Sequence, residues 1–116
     1  MDPRPEDFLP LTAPEYHVLL ALGTEALHGY GMMRALDEKT GGADTLLPGT
    51  LYTTLARMVE RGLLEELDDG PPGRAGRRRR TYRATPLGLA VARAETARLE
   101  RLLGVARASN LAQEAP

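Results

Sequence analysis

Apolar residues recur at helical spacing in four stretches of this chain and alternate with polar ones in a short fifth, and capping residues mark where each stretch begins and ends. Val18, Leu19 and Leu22 predict a first helix behind Thr12-Ala13-Pro14-Glu15. That quartet is a capping box, in which the Thr12 hydroxyl accepts from the Glu15 amide and the Glu15 carboxylate accepts from the Thr12 amide. Pro14 fits the first turn, and Gly23 closes the last one without a Cβ clash. After a turn, Gly29 to Leu36 predict a second helix with Tyr30, Met33 and Leu36 facing the core and Gly41-Gly42 as its stop. A third helix follows Pro48-Gly49, runs from about Thr50 to Arg61 and ends at Gly62. Leu63 to Leu67 and Thr81 to Ala84 predict two strands, joined by a segment whose three glycines and two prolines suit a hairpin tip. Thr85-Pro86 then starts a fourth helix, which continues to about Arg107.

The third helix has two differently furnished faces. At about 100° per residue, Leu51, Leu55, Met58 and Val59 share one arc, while Thr50, Thr54, Arg57 and Arg61 gather in another. One face suits a core. The other is expected to line the solvent side, where Arg can grip guanine or phosphate and Thr can reach phosphate or a thymine methyl.

Charge sharpens that reading. The 15 basic and 16 acidic residues nearly cancel, yet from Gly70 to Arg93 there are seven arginines and no Asp or Glu. The run Arg77-Arg78-Arg79-Arg80 sits in the hairpin, beside the two-faced helix, so the local field favours a polyanion partner although the net charge does not. A solvated basic loop is the bland alternative for such a run.

The fourth helix carries a broad stripe: Leu87, Val91, Ala94, Leu102 and Val105 share a side, Leu99 and Leu103 flank it, and Arg98 interrupts it. A chain of 116 residues leaves little core for so long a helix to cover, so a second copy of the chain is the expected recipient, with packing on the first helix a compatible alternative. Helix, helix, helix, hairpin, helix is the order of a winged helix-turn-helix, a mainly α fold of the α+β kind with a two-stranded wing and a C-terminal dimerisation helix. The expected layout is a flexible arm over residues 1–10, ordered only if something holds it, a winged-helix DNA-binding domain over 11–84, a dimerisation helix over 85–108 and a disordered tail over 109–116.

Other chemistry finds little support. With no cysteine there is no disulfide framework, thiolate metal site or Cys nucleophile. His17 and His28 have no partners at triad or metal spacing and read as structural. Gly29-Tyr30-Gly31 lacks the preceding strand and third glycine of a dinucleotide site. The chain therefore reads as neither an enzyme nor a cofactor binder. Without a long apolar run or a signal-peptide core it is expected to be cytoplasmic, with no membrane partner.

The chain resembles the PadR family of bacterial transcriptional regulators over about Leu11 to Arg107. The residues that carry the resemblance are Leu27-His28-Gly29-Tyr30-Gly31, Pro48-Gly49-Thr50-Leu51-Tyr52 with Leu55, Arg57 and Met58, Gly62-Leu63-Leu64, and Arg80-Thr81-Tyr82-Arg83-Ala84-Thr85-Pro86-Leu87-Gly88. The single C-terminal helix is similar to the compact branch of that family. The resemblance implies a homodimer on an inverted-repeat operator, usually repressing, and released by an effector. It implies that Gly49, Thr50, Tyr52, Thr53, Thr54 and Arg57 approach DNA and that Arg77, Arg78, Arg79 and Arg80 hold phosphates. Tyr52 lies at the edge of the core arc, so packing with only its hydroxyl reaching out stays open. The dimer interface would use Leu87, Val91, Ala94, Leu99, Leu102 and Leu103. The chain has no Trp, which argues against stacking-based drug capture, while a small apolar effector site lined by Met and Leu at that interface stays open. A winged helix that meets RNA or an acidic protein is the competing reading.

Overall fold

The capping box forms as its sequence dictates. Helix α1, Ala13–Leu22, starts with the Glu15 amide donating to Thr12 Oγ1 at 3.3 Å and the Thr12 amide donating to Glu15 Oε1 at 2.8 Å. Its last carbonyls, on Leu20 and Ala21, accept from Lys39 Nζ at 2.9 and 3.1 Å, a cap reaching in from the next helix. This computed structural model describes residues 2–68 and 80–113.

A two-residue strand, β1 (Leu27–His28), precedes helix α2 (Gly29–Thr40), and His28 Nδ1 accepts from the Gly31 amide as the N-cap of α2. Helix α3 (Pro48–Glu60), strands β2 (Leu64–Asp68) and β3 (Arg80–Ala84), and helix α4 (Pro86–Ala108) complete the order. The sheet is antiparallel with order β1-β3-β2 and registers Leu27↔Tyr82 and Glu66↔Tyr82. The wing is thus three-stranded at its root, where the sequence predicts two strands. Two residues are too few to show an alternation, so β1 was invisible to periodicity.

The chain is a winged helix, and its core joins Val18 and Leu22 of α1, Met32 and Leu36 of α2, Leu51, Leu55 and Met58 of α3, Leu63, and Val91 of α4. On α2 the predicted phase is off: Met32 is buried and Met33 only partly so, while Tyr30 is 61% exposed. Gly29, Met32 and Leu36 form the inward line instead. Among the described glycines, Gly88 permits the closest backbone approach. The Thr85 amide donates to the Leu63 carbonyl at 3.0 Å, which brings that oxygen onto the first turn of α4, where only a hydrogen fits at position 88.

Both ends of the chain differ from expectation. The opening segment, predicted to be a flexible arm, is held: Pro5–Phe8 form a 3-10 turn, Phe8 and Leu9 pack on the core, and the Leu11 amide donates to Glu95 Oε2 at 2.8 Å. Its Pro and acid content masked these two apolar anchors. The predicted disordered tail begins as a helix cap, with Asn110 at φ 61° and the Leu111 amide bonded to the Ala106 carbonyl at 2.8 Å. Residues 114–116 of that tail lie outside the described residues. Among the described residues no helix is long and apolar enough to cross a membrane.

Candidate nucleic-acid interface

Pro48 fixes the first turn of α3, and Leu47 at its N-cap offers no side-chain acceptor. From there the helix turns Leu51, Leu55 and Met58 inward as expected. The polar face, however, is rotated from the predicted one. Thr50 and Arg57 are exposed, but Thr54 is buried, with 7% of its surface accessible, and belongs to the boundary with the core. Arg61 is the C-cap residue, and its Nη1 donates to Glu15 Oε2 at 3.0 Å while its guanidinium lies 4.8 Å from the Phe8 ring centroid. Two of the four residues that defined the face are therefore engaged elsewhere, because α1 covers that flank of α3.

The face that remains outward contains Gly49, Thr50, Tyr52, Thr53, Ala56, Arg57 and Glu60. Its centre is made of the small residues Gly49, Thr53 and Ala56 and ends in Glu60 at the last turn, with Thr50 and Arg57 along one edge and Tyr52 along the other. Small side chains let a helix lie close to a groove floor while longer ones reach base edges or phosphates from the sides. Thr53 Oγ1 donates to the Gly49 carbonyl at 3.1 Å, which leaves its methyl and lone pairs outward. A shallow concavity lined by Thr12, Pro14, Gly49, Thr50, Thr53, Thr54 and Arg57 follows the line where α1 meets α3, so Thr54 forms floor rather than contact surface. Tyr52 is 55% exposed and is not a core residue. Its ring rests against the backbone of Gly29 at the start of α2, where a Cβ would stand 2.8 Å from the Tyr52 hydroxyl oxygen.

In the wing, β3 sets its basic residues opposite acids of β2. Arg80 Nε lies 3.2 Å from Glu66 Oε1, and Arg83 Nε donates to Glu65 Oε1 at 2.9 Å. The root of the wing is therefore nearly neutral, and Arg80 is exposed but paired. Arg77, Arg78 and Arg79, the rest of the predicted phosphate clamp, lie outside the described residues.

Helix α4 divides into two functional halves. Val91 is wholly buried in the chain's own core, and Leu87 packs on it, so these two residues are spent within one copy and Ala94 is half-buried. From Leu99 to Val105 every residue is exposed, including Leu99, Leu102 and Leu103. Of the predicted stripe, Leu87 and Val91 thus belong to the chain's own core, while Leu99, Leu102 and Leu103 are exposed.

Sequence reasoning missed Glu95, although an acid four residues beyond Val91 on an apolar stripe is a signal that something pairs with it. Glu95 is 2% exposed and accepts from Arg98 Nε and from the Leu11 amide. The Arg98 hydrogen bond holds the Glu95 carboxyl below its ordinary 4.5, against burial, with the Leu11 amide adding to the effect. A carboxyl whose pKa falls on folding stabilises the fold fully above about pH 4.5, and that contribution is lost as pH falls through the lower folded value. Melting temperature followed below pH 4.5 is accordingly expected to fall less steeply in Glu95→Gln than in the wild type. Parallel curves for the two proteins would contradict this.

Comparison with known proteins meets this geometry from outside. The Transcriptional regulator PadR-like family matches residues 18–94. No curated protein sequence matches the chain. Among solved structures, a transcriptional regulator from Clostridium thermocellum superposes with a TM-score of 0.69 at 23% identity, over 81% of this chain and 86% of that one. A PadR family transcriptional regulator from Eggerthella lenta gives a TM-score of 0.65 at 26% identity, over 89% and 82%. Bacillus subtilis PadR, solved in complex with operator DNA, gives 0.62 at 17% identity, over 92% of this chain and 52% of that one. At these identities the likeness is one of fold.

Proposed function

Because the chain belongs to the PadR-like family of transcriptional regulators, which are not enzymes, we propose that it represses genes by holding a pseudo-palindromic operator as a homodimer. The observation that carries this reading is the outward face of α3, where Gly49, Thr53 and Ala56 form a low centre, Thr50 and Arg57 line one edge, and Glu60 is confined to the C-terminal end. A helix so furnished enters the major groove, with its uncapped N-terminal turn towards the phosphates. Arg57 then reads a guanine edge or clamps a phosphate, and Tyr52 reaches the backbone from the opposite edge. The arginines at 77–79 neutralise phosphates beside the groove, and Arg80 joins them by exchanging Glu66 for a phosphate oxygen.

In this reading residues 11–84 are the DNA-binding unit, braced by residues 5–10, and α4 is both scaffold and dimerisation helix. Leu99, Leu102 and Leu103 meet the partner copy, while Leu87 and Val91 anchor the helix to its own domain. Bacillus subtilis PadR, solved in complex with operator DNA, shares the fold at low identity, which supports DNA as the partner. A small apolar effector between the two α4 helices would release DNA by binding the geometry in which the two α3 helices no longer match the groove spacing.

Selection of bound fragments from the organism's own DNA tests the proposal. The expected product is an inverted repeat with half-site centres separated by about 10 base pairs or a multiple of that. Recovery of unrelated fragments, or of single half-sites with no repeat, would sink it. On the selected operator Arg57→Ala is expected to cost about 1–3 kcal/mol and to relax preference at one base position. Titration against a set of single-base operator variants checks this, and uniform weakening across the set would make Arg57 a phosphate contact.

A further inference from the structure

Two glutamates, Glu15 and Glu95, are the buried charged residues among those described, and one short segment uses both. Glu95 on α4 accepts the Leu11 amide at 2.8 Å. Glu15 on α1 accepts the very next amide, that of Thr12, also at 2.8 Å, and its other oxygen takes Arg61 at the end of α3. Adjacent amides are thus gripped by carboxylates that belong to different helices. Phe8, at the far end of the same segment, lies under the Arg61 guanidinium. A planar peptide separates Leu11 from Thr12, so a displacement of α4 that moves one amide moves the other. The buried carboxylates resist partial loosening, because each oxygen left without a donor is strongly penalised.

From this geometry we infer that residues 8–15 are a strap tying α4 to the C-terminal end of α3, and that Arg61 positions the recognition helix through the strap instead of touching DNA. Arg61 caps α3 at the point where the chain leaves it for β2, so its hold on Glu15 and Phe8 sets the tilt of α3 against α1. The strap gives the dimerisation helix a mechanical route to the groove-reading face. The inference rests on the operator-binding reading above.

The test compares wild type, Phe8→Ala, Glu15→Gln and Arg61→Ala, each on the selected operator and on a scrambled duplex of the same length, over a range of salt. Gln at position 15 retains the capping box. Phe8→Ala touches no polar group, and active fraction is counted separately by stoichiometric titration, so a loss of folded protein does not enter the affinities. Each variant is expected to lower the ratio of operator to scrambled affinity by a similar factor, about threefold to tenfold. The slope of log affinity against log salt stays that of the wild type, and Phe8→Ala combined with Arg61→Ala loses no more than the larger single loss. A slope flattened by about 0.9 in Arg61→Ala alone would identify a direct phosphate contact and overturn the strap. So would an unchanged ratio in Phe8→Ala or Glu15→Gln. A wild type that does not prefer the operator to the scrambled duplex would overturn the regulator reading and the strap's role with it.

Discussion

Leu99→Glu combined with Leu102→Glu is expected to give a folded monomer that binds operator at least about a hundredfold more weakly than the wild type. Both leucines stand on the half of α4 that the chain's own core does not use, and every residue from Leu99 to Val105 is exposed. Introducing carboxylates there costs the single copy little in packing, since neither leucine joins its core, but in a twofold interface each would face its own counterpart or an apolar surface without a partner. The loss in affinity follows from linkage. Two half-sites held by one dimer bind with an effective concentration that a monomer lacks. Light scattering after gel filtration reads the mass, circular dichroism reads the fold, and a duplex titration reads the binding. A variant that remains dimeric would move the interface away from these residues. Val91→Glu serves as the contrast, because Val91 is fully buried within one copy and its replacement is expected to unfold the protein rather than split a dimer.

A large effect on stability is also expected from the smallest possible substitution at Gly88. A Cβ built there lies 2.0 Å from the Leu63 carbonyl oxygen and 3.0 Å from its carbon, both backbone atoms that no side-chain rotation can move. The Leu63 carbonyl also receives the Thr85 amide, and the Thr85 hydroxyl both caps α4 and donates to the Gly62 carbonyl at 2.6 Å. Relief of the clash therefore means lifting the first turn of α4 off the end of α3 and losing those bonds together. Gly88→Ala, which elsewhere in a helix would add a little stability, is expected here to cost about 3 kcal/mol or more. For a chain of this size that lowers the melting temperature by roughly 10 °C or more. Thermal unfolding of the two proteins side by side checks it, and an unchanged or raised melting point would mean the junction is more open than described.

The features legible in the sequence are those that local chemistry decides. Thr12 with Glu15, and Thr85 with Pro86, specify helix starts because a hydroxyl and an amide only three residues apart need no tertiary help. The strands of the wing followed from a glycine- and proline-rich interval between two apolar runs. The family resemblance rested on such local motifs, and the family match agrees with it.

What the sequence concealed depends on contacts between distant residues. Helical spacing groups Thr54 and Arg61 with Thr50 and Arg57, and their residue types favour exposure, since Thr and Arg are usually exposed. Their burial and engagement come from α1 and from Glu15, which lies 46 residues from Arg61. Helical spacing turns Tyr30 toward the core, yet the phase of α2 is set by Gly29, which must pass under Tyr52. The opening residues looked like an arm because Pro and acids outnumber Phe8 and Leu9, and the acceptor for Leu11 stands 84 residues away. On α4 periodicity showed one stripe, but it carried no information on where the domain's own core ends. The division between Val91 and Leu99 is a property of packing, not of spacing.

These corrections reshape the interface. The outward face of α3 has a low centre of Gly49, Thr53 and Ala56 ending in Glu60, with Arg57 as its cation, and the proposed function assigns the remaining positive charge to the arginines at 77–80. The most direct measurement is the affinity of the protein for its selected operator as salt is raised from roughly 50 to 200 mM. Log affinity is expected to fall linearly with log salt, with a slope of about 0.9 for each phosphate held, and along a shallower line when the arginines at 77–80 are replaced by Ala. An affinity for duplex DNA that does not change over that range would contradict it.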